Sequence, residues 1–225
     1  MNNKIETLKG EALMLTYKIS EPANAGVKPG LIVLLHGIGS NEDDLFQLKD
    51  NLPQGYVIVS ARAPYMLSPG RYTWFELAHN LGKPVINAEQ AEKSRLVINT
   101  FITQLTERYD IDPSNIYLGG FSQGGIMSYS VGLTLPHKVK GIFILSSRLL
   151  PEVKPLIKGR ALLEQLRVFI AHGKGDNVLP LHYAHEATTY LKPLLPLMEY
   201  HEYDLEHRIG KQELADLKSW LESAS

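Results

Sequence analysis

The sequence predicts an α/β fold, a mostly parallel sheet covered by helices on both faces. Three observations predict it. Short apolar runs of strand character recur along the chain, and several are apolar at every position rather than at alternate ones, the pattern of strands buried on both faces. Stretches with apolar residues at helical spacing separate them. No internal repeat, low-complexity tract or linker interrupts this alternation, so residues 1–225 are expected to form one domain.

The elements follow in order. ALMLTYKIS, 12–20, alternates and carries β-branched residues, which predicts a strand. LIVLLHG, 31–37, is a continuous apolar run closed by glycine, and YVIVSA, 56–61, repeats it. Two proline-bearing stretches, 62–88 and 148–160, read as loop excursions. A helix is predicted over 89–109, where Ile98, Ile102, Leu105 and Tyr109 share one face. It stops before Asp110-Ile111-Asp112-Pro113, because the residue preceding a proline leaves the helical region. Strands are predicted at 115–120, 141–147 and 166–173, with a weaker one at 196–204. The remaining helices are expected at 123–135, ended by Pro136, and at 180–192 and 210–222.

Composition removes several function classes. Lys and Arg total 23 against 24 Asp and Glu, a net charge of −1, so no broad positive field invites nucleic acid. With no cysteine, disulfides, thiolate metal sites and a cysteine nucleophile are excluded. The N-terminal MNNKIETLKGEALM has no apolar core of the signal-peptide kind, and runs such as LIVLL are too short to span a bilayer. A cytoplasmic protein without stable membrane association is expected.

One stretch carries chemistry. Gly120-Phe121-Ser122-Gln123-Gly124 stands where a buried strand runs directly into a helix. That is the context of a nucleophile elbow, which projects a serine hydroxyl at the top of a sheet. A serine hydroxyl needs a base, and the base needs an orienting carboxylate. In such sheets the acid and the histidine follow later strands. Asp176 follows the 166–173 strand, and His207 follows the 196–204 strand. His201 is the rival base, but it falls within a strand pattern. The second requirement is a pair of N–H donors for a developing oxyanion. One is the N–H of Gln123, the residue after the serine. HGIGSNEDDL, 36–45, bends at Gly37 and Gly39, which leaves the Ile38 N–H to supply the other, with Ser40 or Asn41 capping an acidic helix start.

LIVLLHGIGSNEDDL, YTWFEL, GFSQGG, SSRLLPE, HGKGDNVLP and EHRIG together resemble the carboxylesterase/phospholipase family of α/β-hydrolases, which includes acyl-protein thioesterases. The resemblance covers about 12–222 and implies an α/β-hydrolase fold without a large cap domain. It implies Ser122, Asp176 and His207 as triad, Ile38 and Gln123 as backbone oxyanion donors, and Trp74 as a wall of the acyl pocket. Glu206 stands where eukaryotic thioesterases usually have glycine, and Ser147 where many relatives have glycine. Both departures point away from protein thioesters and toward small esters.

The expected activity is therefore serine hydrolysis of short to medium acyl esters through an acyl-enzyme, with no metal or organic cofactor. Acyl-protein thioesterase or lysophospholipase activity on the same triad is the alternative, and a non-catalytic binding module on a hydrolase fold is the reading from another class. His182 and His185 stand three apart on an expected helix but lack a third ligand, so they are read as solvated. Trp74 and Phe75 in one excursion, with Leu149 and Leu150 in the other, are expected to line a shallow apolar groove open to solvent. The expected partner is a small-molecule ester, and a homodimer is left open.

Overall fold

The computed structural model describes residues 14–22, 28–80 and 83–223; the N-terminal stretch read as lacking a leader, through residue 13, and the first two residues of the strand expected at 12–20 lie outside them. In chain order the strands are β1 (Tyr17–Ser20), β2 (Gly30–Leu35), β3 (Tyr56–Ala61), β4 (Tyr65–Ser68), β5 (Arg71–Thr73), β6 (Leu77–Asn80), β7 (Lys83–Ile86), β8 (Ile116–Phe121), β9 (Gly141–Leu145), β10 (Arg167–Gly173) and β11 (Met198–Tyr203). The helices are α1 (Glu42–Phe46), α2 (Ala88–Arg108), α3 (Gln123–Thr134), α4 (Arg160–Leu163), α5 (His182–Leu191) and α6 (Lys211–Glu222).

Seven strands form the central sheet in the order β1-β3-β2-β8-β9-β10-β11. Only β1 runs antiparallel, pairing Tyr17 with Ala61 through Ser20 with Ile58; the other neighbours in the sheet are parallel. Side chains of the continuous apolar runs split by alternation between two cores. Leu31, Val33 and Leu35 of β2 join Ile98, Phe101, Ile102 and Leu105 of α2 and Met127 and Val131 of α3. Ile32 and Leu34 face the other way, into a core with Leu45 of α1 and Leu217, Trp220 and Leu221 of α6. A strand with helices on both sides has no polar face, which is why these runs do not alternate.

All twelve residues of α3 are buried, so this helix is packed on every side at the centre of the molecule. The strand expected at 12–20 begins only at Tyr17; the other expected helices and strands stand within two residues of their predicted ends. The stretch 62–88 is not a plain loop. It holds two hairpins, β4 with β5 and β6 with β7. Their strands are short and largely exposed, the neighbours Met66 and Leu67 both wet although they point to opposite faces, so neither a buried run nor a clean alternation marks them. The first hairpin turns at Pro69-Gly70, with Gly70 at φ 77°. It is tied to the turn after β2, since Gly39 donates to the Tyr72 carbonyl and Tyr72 to the Ser40 carbonyl, both at 2.8 Å.

Candidate active site

Ser122 sits between β8 and α3 with φ 53° and ψ −116°, a conformation that costs an L-residue free energy and persists only where its surroundings enforce it. The surroundings are visible. Its N–H donates to the Leu145 carbonyl at 2.9 Å, and its own carbonyl accepts from the Ser147 hydroxyl at 2.7 Å. The chain on either side must come very close to β2. A Cβ at Gly124 would lie 1.8 Å from the Leu35 carbonyl oxygen, and one at Gly120 would lie 2.4 Å from that same atom. Only hydrogen fits at these positions, which accounts for both glycines of the elbow.

Three side chains from three separate loops converge there. Asp176, in the loop after β10, is buried, and its Oδ1 accepts the N–H groups of Val178 at 2.9 Å and Leu179 at 2.8 Å. Its Oδ2 accepts from Nδ1 of His207 at 2.7 Å. Nε2 of His207 lies 3.0 Å from the Ser122 hydroxyl oxygen. A carboxylate can only accept, so Nδ1 carries the proton, and Nε2 presents its lone pair to the hydroxyl. The Phe121 ring packs on the imidazole, with centroids 4.7 Å apart. His201, the rival, is brought elsewhere. It stacks on Phe169 at 5.0 Å from its place in β11.

Gln123 is the first residue of α3, so its N–H has no acceptor within the helix and stands at the positive end of the helix dipole. Ile38 lies in the turn after β2. Its neighbours are engaged, Gly39 through its N–H and Gly37 through its carbonyl, which meets His36 Nδ1 at 2.7 Å; among the described residues no acceptor takes the Ile38 N–H. Asn41 caps α1 by accepting the Asp43 N–H at 2.9 Å.

The groove expectation is corrected. Trp74 and Phe75 are 0% and 1% exposed, and Leu149 and Leu150 are also buried; all four belong to the core against α2 and α3. The reason is hydrogen bonding as much as apolarity. The indole N–H of Trp74 donates to the His36 carbonyl at 3.0 Å and its carbonyl accepts from Ser94, which turns the ring inward. The exposed apolar side chains in the turn after β2 and in the loop of Asp176 are instead Ile38 and Val178.

Two histidines that the sequence reading passed over support the site. His36 takes the Ala63 N–H on Nε2 at 3.0 Å, and His172 donates from Nε2 to the Leu179 carbonyl at 2.7 Å. Burial holds both imidazoles below their ordinary value, against the nearby backbone carbonyls and carboxylates that pull them up. His185 pairs with Glu202 at 2.8 Å on the surface, away from any third ligand, and among the described residues no group of three His, Cys, Asp or Glu side chains could hold a metal. No helix among them is long and apolar enough to cross a membrane.

A hydroxyl, an imidazole and a carboxylate in unbroken hydrogen-bonded line can move a proton off the hydroxyl as it bonds to an electrophilic carbon, and two free N–H groups beside it can hold the resulting anion. Comparison with known proteins agrees with that chemistry. A family model described as phospholipase/carboxylesterase matches residues 18–225. An acyl-protein thioesterase 1 of Mycosarcoma maydis is 28% identical over 88% of this chain and 92% of its own length. The solved structure of esterase PE8 is 26% identical, with a TM-score of 0.77 over 93% of this chain and 98% of that one. A carboxylesterase structure from Mesorhizobium loti, at 20% identity and a TM-score of 0.82, covers 99% of both chains and shares the fold.

Proposed function

The chain belongs to the phospholipase/carboxylesterase family, and we propose that it is a serine carboxylesterase acting on short to medium acyl esters. The observation that carries this reading is the line Asp176–His207–Ser122, closed at 2.7 and 3.0 Å.

In the first half-reaction the Ser122 oxygen attacks the ester carbonyl carbon while His207 Nε2 takes the hydroxyl proton. Asp176 keeps the imidazole in the required tautomer and stabilises its charged form. The carbonyl oxygen becomes an oxyanion between the N–H groups of Ile38 and Gln123. The intermediate collapses, His207 returns the proton to the departing alkoxide oxygen, and an acyl-serine remains. A water then loses a proton to the same Nε2 and attacks the acyl carbon. The second intermediate releases the carboxylic acid, and the proton goes back to Ser122. The carbonyl oxygen gains full charge only in the intermediates, so the two N–H donors act mainly on the barrier.

Burial of the four expected groove residues supports the acyl-length part of the proposal. Less apolar surface is left to receive a chain, and each methylene contributes about 0.8 kcal/mol only while it is being buried. Thioester cleavage is a second reading, favoured by relatives named acyl-protein thioesterase 1. The same groups would serve it, because the acyl-serine is common to both.

The test is turnover of a chromogenic butyrate ester and its thioester by the parent and by Ser122→Ala. Loss of both activities in a variant with unchanged melting supports the reading, and the ratio of the two in the parent decides between ester and thioester. An active Ser122→Ala variant contradicts the reading.

A further inference from the structure

Trp74 donates two hydrogen bonds in two directions. Its main-chain N–H goes to Oε1 of Gln123 at 2.9 Å, and its indole N–H goes to the carbonyl of His36 at 3.0 Å. Gln123 carries one of the two N–H donors assigned to the oxyanion. His36 lies two residues before Ile38, which carries the other. The donors come from different parts of the fold, the start of α3 and the turn after β2, and Trp74 joins those parts.

The joint is over-determined on each side. The Gln123 side chain also donates from Nε2 to the Phe75 carbonyl at 2.7 Å, so the amide grips segment 73–75 from both ends. The Thr73 hydroxyl lies 2.9 Å from Gln123 Oε1 and 2.6 Å from the Phe75 carbonyl, closing the same ring. On the other side, His36 is held on both nitrogens. Nε2 accepts the Ala63 N–H at 3.0 Å, so Nδ1 carries the proton and donates to the Gly37 carbonyl at 2.7 Å. The indole packs near that imidazole, with ring centroids 5.7 Å apart. Trp74, Gln123 and His36 are all buried, and buried hydrogen bonds of this kind are geometrically exacting, since an unpaired partner is costly.

We propose that Trp74 is a positioning residue that fixes the spacing of the two oxyanion donors, with the Gln123 side chain as its anchor. The proposal rests on the serine-hydrolase reading and deepens it. Oxyanion donors act only if they stand at hydrogen-bond distance from where the charge develops, and small misplacements cost large factors in rate. A residue in the core can therefore govern the chemical step without touching the substrate.

The experiment uses Trp74→Phe, which keeps a buried ring and removes the indole N–H, and Gln123→Met, which keeps the main-chain N–H and removes the grip. Active sites are counted first by stoichiometric phosphonate labelling, so that misfolded protein does not enter kcat. Each variant is expected to lose about tenfold to a hundredfold in kcat per active site, with KM within about twofold, since the interaction is realised in the transition state. Binding of a trifluoromethyl ketone, which forms a tetrahedral oxyanion on the serine, is expected to weaken by the same factor as kcat. The double variant is expected to lose little more than either single one, because both act along one connection.

Unchanged kcat and ketone affinity per active site in Trp74→Phe, or fully additive losses in the double variant, would overturn the proposal while leaving the serine mechanism standing. Should Trp74→Phe not fold, Gln123→Met decides by the same two readouts. A fully active Ser122→Ala control would overturn the mechanism and the proposal together.

Discussion

His172 Nε2 stands 3.5 Å from Oδ2 of Asp176, the same carboxylate oxygen that accepts the His207 Nδ1–H bond. Both side chains are fully buried. Yet His172 spends its Nε2 proton on the Leu179 carbonyl at 2.7 Å, and the Leu179 N–H in turn donates to Asp176 at 2.8 Å. His172 thus braces the loop that carries Asp176, and burial outweighs the pull of Asp176 and keeps the ring neutral.

A buried neutral histidine makes stability depend on pH. The folded-state value of His172 lies below the ordinary 6.5, as does that of His36. The unfolded chain then binds protons that the native state refuses, so stability is full above about 6.5 and falls as pH drops below it. His172→Gln, which can still donate to Leu179, is expected to flatten the fall in melting temperature between pH 7 and 5. An unchanged slope would show that His172 titrates alike in both states.

Glu213 works with the opposite sign. It is buried in the first turn of α6, with Oε2 accepting the Gly210 N–H at 3.0 Å and Oε1 without a partner among the described residues. Burial pushes its carboxyl up from 4.5 to about 7. A raised acid is protonated when the unfolded one is already charged, so its contribution to stability declines as pH rises from about 4.5 through about 7. Glu213→Gln is expected to gain on the parent across that window, with the gain levelling off above it at a few kcal/mol, on the order of 3. Melting curves at pH 4.5, 6 and 8 check this, and parallel profiles would contradict it.

The elbow glycines admit no side chain. Gly124→Ala would drive a methyl group to 1.8 Å from the Leu35 carbonyl oxygen, a backbone atom that cannot swing away. Overpacking typically costs about 1–3 kcal/mol and more where backbone must move. We expect a large loss of melting temperature together with loss of ester turnover. A variant with parental melting and activity would mean that α3 and β2 are not packed as described.

Chain-length preference separates a core tryptophan from a pocket wall. With Trp74 buried, Trp74→Ala should lower kcat/KM for acetate, butyrate and octanoate esters by a common factor, and the parent should be weak on palmitate. A selective loss on octanoate would put the ring back in contact with substrate.

Much of this architecture was legible in the sequence, for reasons that the structure makes plain. Runs such as LIVLL and GIFIL are apolar on every residue because helices cover both faces of β2 and β9. GFSQG was readable because close approach to Leu35 leaves glycine as the only choice at two fixed positions. His207 could be told from His201 because one falls after a strand pattern and the other within it. What failed was direction. An aromatic pair in a proline-bearing segment looks the same whether its rings face a cleft or the core, and the bonds that turn Trp74 inward come from His36, Ser94 and Gln123, distant in sequence. The supporting histidines did leave a signal. LLHG and IAHG carry the same pair at the end of a parallel strand, His36-Gly37 directly after β2 and His172-Gly173 as the last two residues of β10.

In the proposed mechanism Ser122 is the group that becomes acylated. The most direct test of this is to inactivate the parent with a fluorophosphonate and map the modified peptide by mass spectrometry. One phosphonyl group per chain on Ser122, with inactivation in proportion to labelling and neither seen in His207→Ala on the same timescale, is the predicted result. Inactivation with the label on any other residue, or full labelling of Ser122 without loss of esterase activity, would rule out Ser122 as the nucleophile.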